Sequence, residues 1–218
     1  SGNLPGAEAE YRKVLARSPD FVHAQAGLAR VTAARGQYAE ALATYQQVVE
    51  RIPFPEYVIA LGDVHRVAGH SREADKVYSL VRIQQRLYQA NGVNTDLEMA
   101  LFDADHDQDL NSALVRARQE YQRRSSIWAA DVLAWTLYKK GAHQEALGYS
   151  QEALKLGTKD ALLLFHAAMI NYRLGNRNEA RDLLEQALSI NAYFSVLYGS
   201  QAVGTLEELR AGSRGNRG

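Results

Sequence analysis

The sequence predicts an all-α solenoid of stacked helix pairs, and three observations predict it. First, residues 127–192 hold two copies of one unit: IWAADVLAWTLYKKGAHQEALGYSQEALKLGTKD is followed by ALLLFHAAMINYRLGNRNEARDLLEQALSINA. Gly141 and Gly175 are 34 residues apart, as are Ala134 and Ala168, Ala146 and Ala180, and Ala153 and Ala187. Second, the same ruler runs back along the chain through Asp107, Gly69, Gly36 and Gly2, in steps of 34, 38, 33 and 34. Third, the chain has only 4 Pro and few alternating apolar runs, which leaves little room for strands. A helical hairpin of this size cannot bury its own apolar face, so such units must stack.

Taken in order, residues 1–19 supply the second helix of a half-repeat, and full repeats follow at 20–53, 54–92, 93–126, 127–160 and 161–194. Each is read as helix, turn, helix. The turn residue must tolerate a positive φ, which Gly does without steric cost. Asp107 is the one substitute, and Asp visits that region more readily than most residues. Ala7, Ala41, Ala74, Ala146 and Ala180 fall five residues past each Gly, and Ala113 falls six past Asp107. These small side chains let neighbouring helices approach. The 38-residue step is explained by a long second helix from about Ser71 to Ala90, closed by Asn91-Gly92. Residues 195–209 are expected to form a capping helix, weakened by Gly199 and Gly204. The Gly- and Arg-rich tail 210–218 is expected to be disordered.

The pattern resembles the tetratricopeptide repeat, whose signature includes Leu-Gly, a Tyr, Ala-x-x-x-Phe/Tyr and a closing Pro. The residues that carry the resemblance are Leu61-Gly62, Tyr138 and Tyr172, Ala7/Tyr11, Ala41/Tyr45, Ala74/Tyr78, Pro19 and Pro53. It covers residues 1–194. The last three repeats depart from it, with Ala117, Ser150 and Leu184 replacing the aromatic and Ser125, Thr158 and Ala192 in place of the Pro. The run from ALFDADHD to HAAMI also resembles the C-terminal end of some long bacterial repeat proteins, so the chain is read as the C-terminal portion of a longer one. The resemblance implies a right-handed superhelix whose inner, concave face binds an extended peptide or a helix.

By the same resemblance, the inner positions are Trp128, Asp131, Trp135 and Tyr138 in the fifth unit, and Leu162, Phe165, Met169 and Tyr172 in the sixth, with His166 beside them. In the fourth unit they are Asn94, Leu97, Leu101 and Ala104. Further back they are His23, Ala26, Arg30 and Ala33, then Glu56, Ile59, Asp63 and Arg66. The groove so formed is expected to be charged at its N-terminal end, at Arg30, Asp63 and Arg66, and aromatic at its C-terminal end. Two readings of the aromatic end stand side by side. It forms a docking slot with Trp and Tyr anchors, or the large side chains pack on one another or on the 195–209 helix. The Lys and Asn clamp by which chaperone-binding members hold a peptide carboxylate is absent. His23, Arg30, Asp63, Asp131 and Met169 stand at those positions.

Other chemistry is weakly marked. Asp103, Asp105, Asp107 and Asp109 alternate, which is a calcium-like spacing, but a calcium loop begun at Asp103 would need Gly at Gln108 and Glu at Leu114. The better reading is a polar helix end with Asp109 capping the next helix. Asp103 falls on the packing stripe and needs a hydrogen-bond partner there. A metal-dependent or enzymatic centre around Asp103, His106, Asp131 and His166 is the rival class. No nucleophile motif or metal spacing supports it, and no cofactor or metal is expected. Arg116, Arg118, Arg123 and Arg124 share one helix, but Glu120 interrupts them and the formal net charge is 0, which does not steer the chain toward nucleic acid. With no cysteine, disulfides and thiolate metal sites are excluded. No apolar run reaches the length of a membrane span. The expected partner is a protein or peptide, with self-association through the open N-terminal half-repeat as the alternative. The compartment, cytoplasmic or exported, is left open, since any targeting segment would lie outside this sequence.

Overall fold

A computed structural model of the chain describes residues 2–215, with side chains described through residue 212. Among these residues there are twelve helices and no strand. They are α1 (Leu4–Arg17), α2 (Val22–Ala34), α3 (Tyr38–Arg51), α4 (Pro55–Val67), α5 (Ser71–Ala90), α6 (Asp96–Asp105), α7 (Leu110–Arg123), α8 (Ile127–Lys139), α9 (His143–Leu154), α10 (Ala161–Arg173), α11 (Arg177–Ile190) and α12 (Gly199–Gly215). The fold is an all-α helical-repeat solenoid. It divides into two compact units. The first takes in the chain up to Gly92 together with Ser195–Tyr198, and the second takes in Val93–Phe194 and α12.

Within the first unit each helix from α1 to α5 packs on the next. Its core is built on Val22, Ala26, Ala29 and Ala33 of α2, Ala41, Tyr45 and Val48 of α3, and Tyr57, Leu61 and Val64 of α4. In the second unit α6 packs on α8 and α8 on α10, so the first helices of successive pairs form one layer. Around them lie α7, α9 and α11, and α12 packs on α11.

The corners share one construction. Gly36, Gly69, Gly141 and Gly175 have φ of 77°, 83°, 82° and 81°, and Asp107 has φ 53°. In each corner the next residue donates its N–H back to the carbonyl five residues earlier: Gln37 to Thr32, His70 to His65, Gln108 to Asp103, Ala142 to Leu137 and Asn176 to Asn171. This is the Schellman closure, in which one left-handed residue lets an otherwise orphaned carbonyl find a donor. The α6–α7 corner, which lacks Gly, also holds Asp109 in the left-handed region at φ 37°. Asp109 accepts the Ser112 N–H at 3.4 Å and so caps α7.

Small residues set the spacing between helices. Ala41, Ala74, Ala113, Ala146 and Ala180 are all fully buried. A Cβ on Gly62 would lie 2.3 Å from the Tyr78 ring, and one on Gly27 would lie 2.3 Å from that of Tyr11.

The C-terminal end differs from expectation. The capping helix begins at Gly199, not 195, and continues through Gly215 where a disordered tail was expected from 210. Residues 216–218 lie outside the described ones. Tertiary packing overrides the weak local propensity. Ala202, Leu206 and Leu209 are buried, and Arg210 reaches Glu185 of α11 at 2.9 Å. Upstream, the Asn191 and Ser195 side chains accept backbone N–H groups and hold the chain in turns.

Candidate functional site

In the second unit α8 and α10, the first helices of their pairs, are apolar on nearly every side. Nine residues of α8 and ten of α10 are buried, far more than one amphipathic face supplies. Their large side chains form an interlocked stack. The Trp135 ring lies parallel to Tyr138, with centroids 4.8 Å apart, and to His166, at 4.1 Å. The indole Nε1 donates to Asp105 at 2.8 Å. His166 Nδ1 lies 3.0 and 3.1 Å from the two carboxylate oxygens of Asp131. Phe165 packs on Phe194 at 5.3 Å.

The structure therefore corrects the groove expectation at five positions. Trp135, Phe165, His166 and Met169 are at most 3% exposed and Asp131 is 4% exposed, so they fill the interior and do not line an open surface. A residue buried between adjacent helices cannot anchor a partner. Trp128 is different: it is 49% exposed on the first turn of α8, behind the Ser126 cap. Tyr138 and Tyr172 are half-buried. Tyr172 donates to Glu208 of α12 at 2.7 Å, and that bond holds the phenol above its ordinary range. Leu97 and Leu101 are half-buried against the core of Ala100, Val132, Leu133 and Ile170.

In the first unit Arg30 is exposed on α2, while Asp63 and Arg66 turn to α5. Tyr78 donates to Asp63 at 2.9 Å, and burial followed by the Asp63 charge pushes that phenol up. Arg66 binds Asp75 at 2.5 Å and lies 5.6 Å from the Tyr78 ring centre.

The alternating carboxylates of the α6–α7 corner are each directed to a separate partner. Asp103 is fully buried and paired with Arg116, Asp105 accepts from Trp135, and Asp107 lies 2.9 Å from Lys139. His106 turns its Nδ1 to the Phe102 carbonyl. Among the described residues no group of three or more His, Asp or Glu side chains is gathered as metal ligands. His166 and Asp131 do meet, but the ring is wholly covered, so the pair faces no open cleft.

One cluster brings together residues that the repeat signature does not single out as a group. Phe21, His23, Phe54 and Tyr57 lie ring against ring at the starts of α2 and α4. The signal in the sequence was two Phe residues 33 apart, each just before a first helix.

Tetratricopeptide-repeat patterns match residues 1–64, 126–159 and 166–192, more than half of the chain. The chain belongs to the tetratricopeptide-repeat family. Among curated proteins it is 33% identical over 93 residues to the cellulose synthase 1 operon protein C of Komagataeibacter xylinus. That match takes in 41% of this chain and 7% of the relative, so the chain spans a small part of that protein's length. Among solved structures, the Cut9–Hcn1 hetero-tetramer of the APC/C is similar with a TM-score of 0.59 and 17% identity, over 96% of this chain and 44% of the other. A tetratricopeptide repeat protein from Parabacteroides merdae is similar with a TM-score of 0.50 and 14% identity, over 96% and 87%. At these identities the likeness is one of fold.

Proposed function

We propose that this chain is a non-enzymatic scaffold that docks a protein or peptide on the inner helices of its second unit. Trp128 carries the proposal. It is the large aromatic of the inner layer that stays half in solvent, flanked in the sequence ruler by the half-buried Leu97, Leu101, Tyr138 and Tyr172. A Trp with half its surface in solvent offers that half to a partner, and exposed Trp and Tyr are the side chains that most often dominate binding energy. Family membership supports a scaffold role in general, and the likeness to a cellulose synthase operon protein makes the products of such an operon the first partners to test. Pull-down with wild type, Trp128→Ala, and Trp128→Ala with Tyr172→Ala is the test. Capture is expected to fall stepwise while the Trp128→Ala melting temperature stays within about 2 °C of wild type, as for a surface change. Undiminished capture by the double variant would overturn the reading.

Self-association is the second reading, and one observation favours it. Helix α1 has no buried residue, and Val14 is 39% exposed on it. Light scattering across concentration decides: a mass that doubles in wild type, and stays monomeric in Val14→Asp, would move the function to assembly.

A further inference from the structure

The Phe21, His23, Phe54 and Tyr57 cluster of the first unit has no structural duty that explains its exposure. Phe21 and Phe54 occupy the N-cap positions of α2 and α4, where neither makes a side-chain capping bond and where Ser, Thr, Asp or Asn would be preferred. Nor do they serve the core: Phe21 is 47% and Phe54 43% exposed. Two large rings are held at the surface against both local propensity and burial. His23 joins them, its ring centre 5.4 Å from Phe21, 6.3 Å from Phe54 and 6.0 Å from Tyr57. The Tyr57 hydroxyl and His23 Nδ1 are hydrogen-bonded, and Tyr57, 8% exposed and 6.0 Å from Phe54, forms the floor.

The charge beside this floor is negative. Glu56 is exposed on the first turn of α4, between Phe54 and Tyr57 in sequence. Among the described residues it forms no ion pair with Lys or Arg. Burial pushes the Tyr57 phenol up, and the Glu56 charge and the hydrogen bond that the phenol donates to this carboxylate add to the push. The other carboxylate nearby in sequence, Asp20, is already matched by Arg51 at 2.7 Å, so that pair adds no net charge.

We infer that this surface receives an arginine side chain of a partner protein, stacked on Phe21, His23 and Phe54 with its guanidinium paired to Glu56. Aromatic faces attract cations through the ring quadrupole, and guanidinium is the cation whose flat shape and weak hydration suit it to stacking. Its fork of donors also matches a carboxylate in two bonds, where a lysine ammonium offers a single strongly hydrated point charge. A neutral sugar would use the rings and donate hydroxyls to Glu56, but it would form neither an ion pair with the carboxylate nor a cation–π contact with the rings. The inference does not rest on the second-unit docking face around Trp128.

The test is an NMR titration of the full chain with acetyl-Ala-Arg-Ala-amide, in which Arg is the one charge, followed at the amides of residues 21–23 and 54–57. Saturable shifts are expected there, with affinity about three- to fivefold weaker when citrulline replaces arginine, the size of an exposed cation–π and ion-pair contribution. Glu56→Gln is expected to weaken binding similarly, and about 0.5 M salt to weaken it further. Phe54→Ala, checked for an unchanged melting profile, is expected to abolish it. Trp128→Ala is expected to leave it as in wild type, which separates this site from the scaffold reading. An equal response to the citrulline peptide, no saturable shift up to about 20 mM peptide, or saturation by cellotetraose with the arginine peptide inert would each overturn the assignment.

Discussion

Gly62 lies in the first helix of its repeat and Gly148 in the second helix of another, and their surroundings give opposite expectations. In α4 a methyl at position 62 would be driven into the Tyr78 ring, which is 2% exposed and has no room to withdraw. Gly62→Ala should therefore destabilise the protein by about 1–3 kcal/mol, the usual cost of overpacking. In α9 a methyl at 148 meets nothing within 4 Å, so Gly148→Ala should stabilise by about 0.5–1 kcal/mol through helix propensity alone. Urea unfolding of both variants checks this, and equal effects would show that the Tyr78 contact does not set the helix spacing. The residue scale was the most legible from sequence. Gly36, Gly69, Gly141 and Gly175 occupy equivalent left-handed corners, and Asp107 replaces Gly in the same conformation. Asp103 needed a partner and has Arg116. A backbone conformation that few residues tolerate, or a carboxylate on a packing stripe, leaves few solutions.

Helices α8 and α10 are where the sequence leaves docking and packing undecided at the candidate site, and the reason lies in how a repeat helix is covered. A helix with neighbours on both sides is apolar nearly all round, so periodicity cannot tell a second core face from a docking face. Trp135, Phe165 and Met169 are thus identical in pattern to groove residues and yet buried, and only the coordinates single out Trp128. Polar residues buried in the second helices carry a different test. Glu120 of α7 accepts from Arg123 at 2.6 and 3.0 Å and from Asn94 at 2.7 Å. The Arg123 bonds, helped by Asn94 and opposed by burial, hold its carboxyl below the ordinary carboxylate range. A depressed pKa favours the fold when the carboxylate is charged. Its contribution is full above the unfolded value of about 4.3 and is lost as pH falls through the lower folded value. The melting-temperature gap between wild type and Glu120→Gln should be widest near pH 7 and close toward about pH 3. A gap that is constant across this range would mean that Glu120 stabilises as a shape and not as a charge.

At the scale of the whole molecule, a chain whose helices are stabilised mainly by their neighbours should not be uniformly stable. In such arrays each helix pair draws its stability from its own interior and from the pairs beside it, so elements that bury least open first. Here the contrast in burial is steep, with ten buried residues in α10, nine in α8 and none in α1. Helix α1 meets α2 through Tyr11 against Gly27 and through the ion pair of Glu8 with Arg35 at 2.5 Å, and ion pairs that water still reaches contribute little. Native-state hydrogen exchange should therefore show α8 and α10 amides opening only with global unfolding. Amides of α1 should exchange at least about a hundredfold faster through local opening. Gly27→Ala, which crowds Tyr11, should speed exchange in α1 further while leaving α8 and α10 as in wild type, because their protection is set by contacts that do not involve α1. If α1 instead proved as protected as α8, its stability would have to come from something beyond the packing of this single chain. The concentration dependence of that protection would then identify a second copy as the source.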